Sequence, residues 1–151
     1  MQATGISHIA ICVRDMEKSL VFYRDQLGMT VTIDHDTDPT EGGRAHNYKR
    51  QRKTRRRVSI GYPGDNIPAL TLTSHPGEAP DGEPIQLDQV GITHLAFIMP
   101  DLKTFTEAIL AKGVELAGPR EAFFDSQGNV RSIYVKDPDG ILIQFSAGGG
   151  G

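Results

Sequence analysis

From Ile6 to Val13 the chain alternates with a two-residue period. Ile6, His8, Ala10 and Cys12 fall on one strand face, and Ser7, Ile9, Ile11 and Val13 on the other. Both faces are largely apolar, so this strand is expected to be covered on both sides. The period then lengthens: Met16, Leu20, Tyr23 and Leu27 recur at three- or four-residue steps, the signature of a helix with one buried stripe. Asp15 is placed to cap its start and Gly28 to stop it. Further strands are expected over about 29–34, 48–62 and 69–73. The same grammar returns later. Ile92, His94, Ala96 and Ile98 share a strand face, and Asp101 opens a helix carrying Leu102, Phe105 and Ile109 before Gly113. Strands are expected over 114–117, 130–136 and 141–146, with Asp137, Pro138, Asp139 and Gly140 forming the turn of a closing hairpin. Pro63 to Asn66 plays that part less cleanly in the first half.

The two halves are copies. Gly5 to Met16 matches Gly91 to Leu102 at a constant offset of 86 residues without a gap. Gly, Ile, His, Ala and Asp are identical, and every other pair except Arg14 and Pro100 is a mild exchange. A repeat of this kind marks a duplicated supersecondary unit whose copies pack together. The order is strand, helix, strand, strand, strand, twice: repeats over 5–73 and 91–146, a linker rich in Pro, Gly and acid over 74–90, and a flexible tail over 147–151. A lone histidine in an apolar strand is usually a satisfied core residue. Two at equivalent positions are a reason to consider a shared site.

Composition narrows the options. With 151 residues, 38% hydrophobic and 23% charged, the chain has the makings of one soluble globular body. A net charge of −3 gives no global pull toward nucleic acid or anionic membrane. The longest apolar stretch, Ile9 to Val13, is far short of a membrane span. No signal-peptide layout precedes it, and the single cysteine, Cys12, excludes an intrachain disulfide; a reducing cytoplasm is the expectation. Cys12, in an apolar strand, is expected to pack rather than react.

One segment departs from this average. Residues 49–57 hold seven basic side chains in nine, yet no aromatic ones, and the rest of the chain carries −10 to reach the total of −3. That pattern does not favour nucleic acid. It is read either as a solvated edge strand or as a source of cavity-facing arginines for an anionic ligand. The segment before it, 34–47, is acidic and glycine-containing, and could cover a pocket mouth or simply connect strands.

The strand Gly-Ile-x-His-x-Ala, a helix with Phe22 and Tyr23 ending at Leu27 and Gly28, and the late Asp-Pro-Asp-Gly turn together resemble the vicinal oxygen chelate superfamily. That group includes glyoxalase I, extradiol dioxygenases and the bleomycin and fosfomycin resistance proteins. The resemblance covers 5–146 and implies an α+β fold: paired βαβββ modules forming an open, cup-shaped mixed sheet with helices outside. It also implies a divalent metal held by the first and last strands of each module, a small-molecule substrate, and a homodimer. Carried over residue by residue, it assigns His8 and His94 to the first-strand ligand positions. It puts Gln144 where a glutamate usually stands, and Thr71 near the matching place in the first module, within two residues either way. No carboxylate is in that set. His75 is a substitute ligand or base if the strand persists beyond Thr73, which Pro76 argues against.

Three readings follow. The first is a metal-assisted enzyme of isomerase or lyase type, with His8, His94 and Gln144 holding Zn, Ni, Mn or Fe(II) and acting on a small oxygenated substrate, which the basic run allows to be anionic. Thr71, Arg57, Arg131 and Tyr134 are its candidate substrate contacts, though Arg131 and Tyr134 cannot both face inward from one regular strand. The second is a metal-free binding protein of the antibiotic-sequestration type, favoured by the missing glutamates. The third is a dioxygenase, or a metal-independent enzyme with His8 or His94 as base.

Overall fold

The computed structural model describes residues 1–64 and 67–148. The predicted turn at Pro63–Asn66 and the predicted tail over 147–151 lie partly outside those residues. The chain divides into two compact units, Met1–Gly82 and Glu83–Gly151.

In the first unit, β1 (His8–Cys12) leads to helix α1 (Met16–Leu20), which runs directly into a π-helical turn (Val21–Gln26). Asp15 caps it: its carboxylate accepts from the amides of Glu17 at 3.0 Å and Lys18 at 3.2 Å. Leu27 N donates to Phe22 O at 2.9 Å, and Gly28 takes the left-handed φ of 79° that ends the helix. Strands β2 (Thr30–Asp36), β3 (Arg56–Gly61) and β4 (Ala69–Ser74) follow, giving a mixed sheet of order β1-β4-β3-β2 with β1 parallel to β4. Register separates the faces. Ile11, Val58, Ile60, Leu70 and Leu72 are buried on one side, and the helical segment contributes buried Met16, Leu20, Phe22 and Tyr23.

The second unit repeats this with β5 (His94–Ile98), α2 (Leu102–Ala111), β6 (Ser132–Lys136) and β7 (Leu142–Ser146), in the order β5-β7-β6. Its core is mostly aliphatic, with Ile109, Ile133, Val135 and Ile143 around one fully buried ring: Phe145 stacks on Phe97 at 5.7 Å and meets Phe105 of α2 at 4.6 Å between ring centroids. The β6–β7 hairpin turns as expected. Asp137 is 5% exposed and accepts from the amides of Asp139 and Ile141 at 2.9 and 2.8 Å, while Gly140 adopts φ 96°.

The α+β fold thus comprises two mixed sheets of four and three strands. Two predicted strands are corrected. The one expected over 48–62 begins only at Arg56. Upstream, the Glu78 carboxylate takes the amides of Lys53 and Thr54 at 2.8 and 2.9 Å, so these donors are spent away from any ladder. The strand expected over 114–117 shrinks to a bridge between Leu116 and Val135. Pro119, which has no N–H, follows almost at once. Among the described residues no helix is long and apolar enough to cross a membrane.

Candidate functional site

Each unit offers one polar sheet face with a histidine at its edge strand. In the first, register sets His8 opposite Ala69, Ala10 opposite Thr71 and Cys12 opposite Thr73. Across β3 and β2 the same face continues through Ser59, Arg57 and His35. Thr71 is 3% exposed and its hydroxyl has no hydrogen-bond partner among the described residues. Cys12 is exposed on this face, contrary to the packed position its apolar strand implied: its neighbours on that face of β1 are the small Ala10 and the polar His8 rather than large apolar side chains.

In the second unit, His94 lies opposite Leu142 and Ala96 opposite Gln144, with Tyr134 across from Gln144 on β6. The His94 and Tyr134 rings meet edge to face, 5.6 Å apart. His94, Gln144 and Tyr134 therefore share one face. Arg131 precedes β6, is exposed, and acts instead on Asp125, whose carboxyl is held below its ordinary range first by hydrogen bonds from Asn129 and in smaller part by Arg131.

The registers also settle the alignment of the repeats. Thr71 and Gln144 each lie two residues beyond the partner of their unit's histidine, so they are equivalent positions. A second equivalence was visible in the sequence only as a mild exchange. Ser7 Oγ lies 2.9 Å from His8 Nδ1, and Thr93 Oγ1 lies 2.9 Å from His94 Nδ1. Each imidazole has its Nδ1 engaged by the preceding hydroxyl, which leaves Nε2 for other chemistry.

The basic segment divides in two. Arg57 sits on the His8 face, in register with Thr73 and His35. Arg56 points to the helix side, where it grips Asp34 through two hydrogen bonds of 2.9 and 2.8 Å and donates to Glu17 at 2.5 Å. These bonds from Arg56 hold the Asp34 carboxyl below its usual range. Arg52 and Arg55, with Arg44 from the preceding segment, border a cavity of about 280 Å³ beside Cys12, Thr73 and His75. Burial first, then the charges of Arg44 and Arg57, hold Arg55 below the ordinary arginine range, though it stays charged. Arg44 and Tyr48 were not singled out from the sequence. They lie in and after a 3₁₀ segment (Glu41–Asn47), where no periodicity marks an inward side chain.

The profile of the Glyoxalase/Bleomycin resistance protein/Dioxygenase superfamily matches residues 5–145, and the chain belongs to this superfamily. It is similar in fold to the trypanothione-dependent glyoxalase I of Leishmania major, with a TM-score of 0.67 and 22% identity over 95% of this chain and 86% of that one. A glyoxalase family protein from Bacillus cereus gives a TM-score of 0.71 at 16% identity, over 97% and 95% of the two chains. The fosfomycin resistance protein FosX of Listeria monocytogenes gives 0.59 at 20%, over 98% and 94%. At these identities the likeness is one of fold. No curated protein is a significant sequence match.

Donor chemistry tests whether a metal suits these faces. The donors are two imidazoles, an amide oxygen and a buried, unpartnered hydroxyl (Thr71), all neutral. Among the described residues, no group of three or more His, Cys, Asp or Glu side chains is placed to hold a metal. The acidic residues of β2, Asp34 and Asp36, pair with Val58 and Arg56 on the opposite face from His8. Nitrogen and neutral oxygen donors of this kind, on either face taken by itself, suit a borderline ion such as Zn or Ni better than a hard ion that demands carboxylates.

Proposed function

We propose that the protein is a metal-assisted enzyme of isomerase or lyase type acting on a small oxygenated molecule. His8 and His94 would be ligands through Nε2, and Gln144 through its amide oxygen. The observation that carries this reading is the repeated imidazole–hydroxyl pair, 2.9 Å in both units. A hydroxyl accepting from Nδ1–H fixes the ring and leaves the Nε2 lone pair available, as ligating histidines require. When bound, a divalent ion supplies Lewis-acid polarisation of a substrate oxygen. The chain's own contributions are distinct from that. Ser7 and Thr93 would hold the ring orientations, Tyr134 packs edge to face against the His94 ring, and the Thr71 hydroxyl offers a buried donor without a partner among the described residues. Dioxygenase chemistry is disfavoured, because the non-haem iron site that supports it needs a carboxylate with its two histidines. Homodimer formation is the superfamily's implication and belongs to the same proposal.

The absence of a carboxylate on either histidine face supports a second reading, a metal-free protein that binds a small molecule. Elemental mass spectrometry on untagged protein separates the two. Near-stoichiometric metal, lost in the His8→Ala/His94→Ala double variant, is the expected result. No bound metal after incubation with Zn, Ni, Mn or Fe(II) would overturn the first reading and leave the second.

A further inference from the structure

All lining residues of the cavity of about 280 Å³ belong to the first unit, and its charge bears on the choice, left open by the sequence, between a solvated edge strand and arginines that serve an anionic ligand. Four cationic side chains border it, Arg44, Lys49, Arg52 and Arg55, against one carboxylate among its lining residues, Asp81. That carboxylate is already engaged, by Arg50 at 2.5 Å and Lys49 at 3.5 Å. Arg55 and Arg44 are otherwise poorly compensated. Arg55 donates to the neutral Thr37 hydroxyl at 2.6 Å, and Arg44 to the Asp38 carbonyl at 3.0 Å. The Glu41 carboxylate stands 3.6 Å from Arg44 and is 71% exposed, so water screens it.

Two of its lining residues carry a buried polar atom without a partner among the described residues: Arg44 Nε and the Tyr48 hydroxyl. Arg44 Nε–H can only donate, and a hydroxyl donates readily. Buried polar groups are nearly always satisfied, so each of these donors, on residues that line one cationic cavity, calls for an acceptor. His75 does not supply it. Its Nδ1 lies 2.6 Å from the Thr54 carbonyl, which can only accept, so the ring donates there; the ring also packs edge-on against Tyr48. A cation is repelled by the arginines. An anion with several acceptor oxygens answers every unmet demand at once.

We propose that this cavity binds a small organic oxyanion, a carboxylate or phosphoryl group on a body of a few carbon atoms, with Arg44, Arg55 and Tyr48 as its donors. The volume is near the lower end of ligand pockets, roughly 300 Å³ upward, which limits the body to small metabolite size. Cys12 and Ala10 on the wall face that body rather than its charge. The assignment goes beyond the metal reading and stands without it, since every donor named belongs to the first unit and none is a proposed metal ligand.

The test is titration of the ¹⁵N-labelled protein with inorganic phosphate and, separately, with succinate, at ionic strength held constant with sodium chloride. The readout is the arginine Nε–Hε resonances. Saturable displacement of the Arg44 signal by at least one probe is expected. Tyr48→Phe and Arg44→Gln should each weaken that binding at least tenfold, while Arg24→Gln, which removes the same charge elsewhere, should change it less than twofold. Amide spectra establish that each variant is folded; should Arg44→Gln fail to fold, Tyr48→Phe, which removes one oxygen, decides alone. Binding should also persist in the His8→Ala/His94→Ala variant, whatever the metal experiment gives. Displacement that never saturates, binding unchanged in Tyr48→Phe, or binding lost with the two histidines would each overturn the assignment.

Discussion

The two repeats began as one sequence and now carry different chemistry on equivalent frames. Both keep an Asp-capped helix, a parallel pairing of first and last strands, and a histidine whose Nδ1 meets the hydroxyl before it. Beyond that they part. Where the first unit has Ser59 beside Thr71, the second has Tyr134 beside Gln144. Where the first has Arg57 beside Thr73, the second has Ser132 beside Ser146. The first face is cationic and lined by small hydroxyls; the second has an aromatic ring, an amide and one lysine, Lys136. The frame kept what positions an imidazole and released what surrounds it.

The cores are more alike, each mostly aliphatic with buried aromatic rings, and their disruption is the largest effect expected. Phe145 is fully buried between Phe97 and Phe105, so Phe145→Ala should cost about 3–5 kcal/mol in urea denaturation. Leu72, fully buried in the core of the first unit, should cost about 2–5 kcal/mol as Leu72→Ala. Hydrogen exchange on the two variants sharpens the comparison. Loss of protection confined to the mutated repeat would make each a separate cooperative unit; loss throughout would make the duplication one folding body. A cost under 1 kcal/mol in either variant would contradict the packing described.

How much of this could be read from the chain depended on whether a feature was periodic. The histidine strands and their Asp-capped helices were legible because a twelve-residue motif repeats without a gap. The hairpin at Asp137 was legible because its turn residues have one use. The pairing of Thr71 with Gln144 was not, since short strands of similar residues can slide by two; only the parallel registers fix it. Nor were Arg44 and Tyr48. They sit where the backbone changes direction at Gly42 and Gly43, both with positive φ, and no alternation says which way a side chain points. The basic run misled in the opposite sense. Seven charges looked like one feature, but β3 alternation sends Arg56 to the helix and Arg57 to the sheet face, while Lys49, Arg52 and Arg55, before the strand, line the cavity.

The surface ion pairs offer a smaller contrast. Arg56 joins two carboxylates while three-quarters buried, whereas Arg120 of the second unit pairs with Glu107 in the open, both half exposed. Arg56→Gln should cost on the order of 1 kcal/mol and Arg120→Gln less. The first loss should depend on pH. Hydrogen bonds from Arg56 depress the Asp34 carboxyl, so the stability they confer is present above the unfolded value of about 3.9 and is lost as pH falls through the lower, folded value. Thermal melts of wild type and Arg56→Gln should therefore converge on acidification below about pH 4. A gap that stays constant to about pH 2 would mean that Asp34 contributes nothing through this pair.

The smallest effect bears most directly on the histidines. Ser7→Ala and Thr93→Val each remove one hydrogen bond, worth about 1 kcal/mol at most on exposed or partly buried strands, so stability should barely move. The ring should move instead. A hydroxyl can accept from Nδ1–H, leaving a lone pair on Nε2, or donate to Nδ1, placing the proton on Nε2. The two forms have distinct ¹⁵N ring shifts. The metal reading requires the first in both repeats, and it requires each variant to shift its own histidine toward the Nε2–H form while leaving the other unchanged. Wild-type rings already in the Nε2–H form would keep the hydroxyl contact but turn each histidine into a donor. The shared geometry would then favour the metal-free reading, with both imidazoles presenting a proton to the bound molecule.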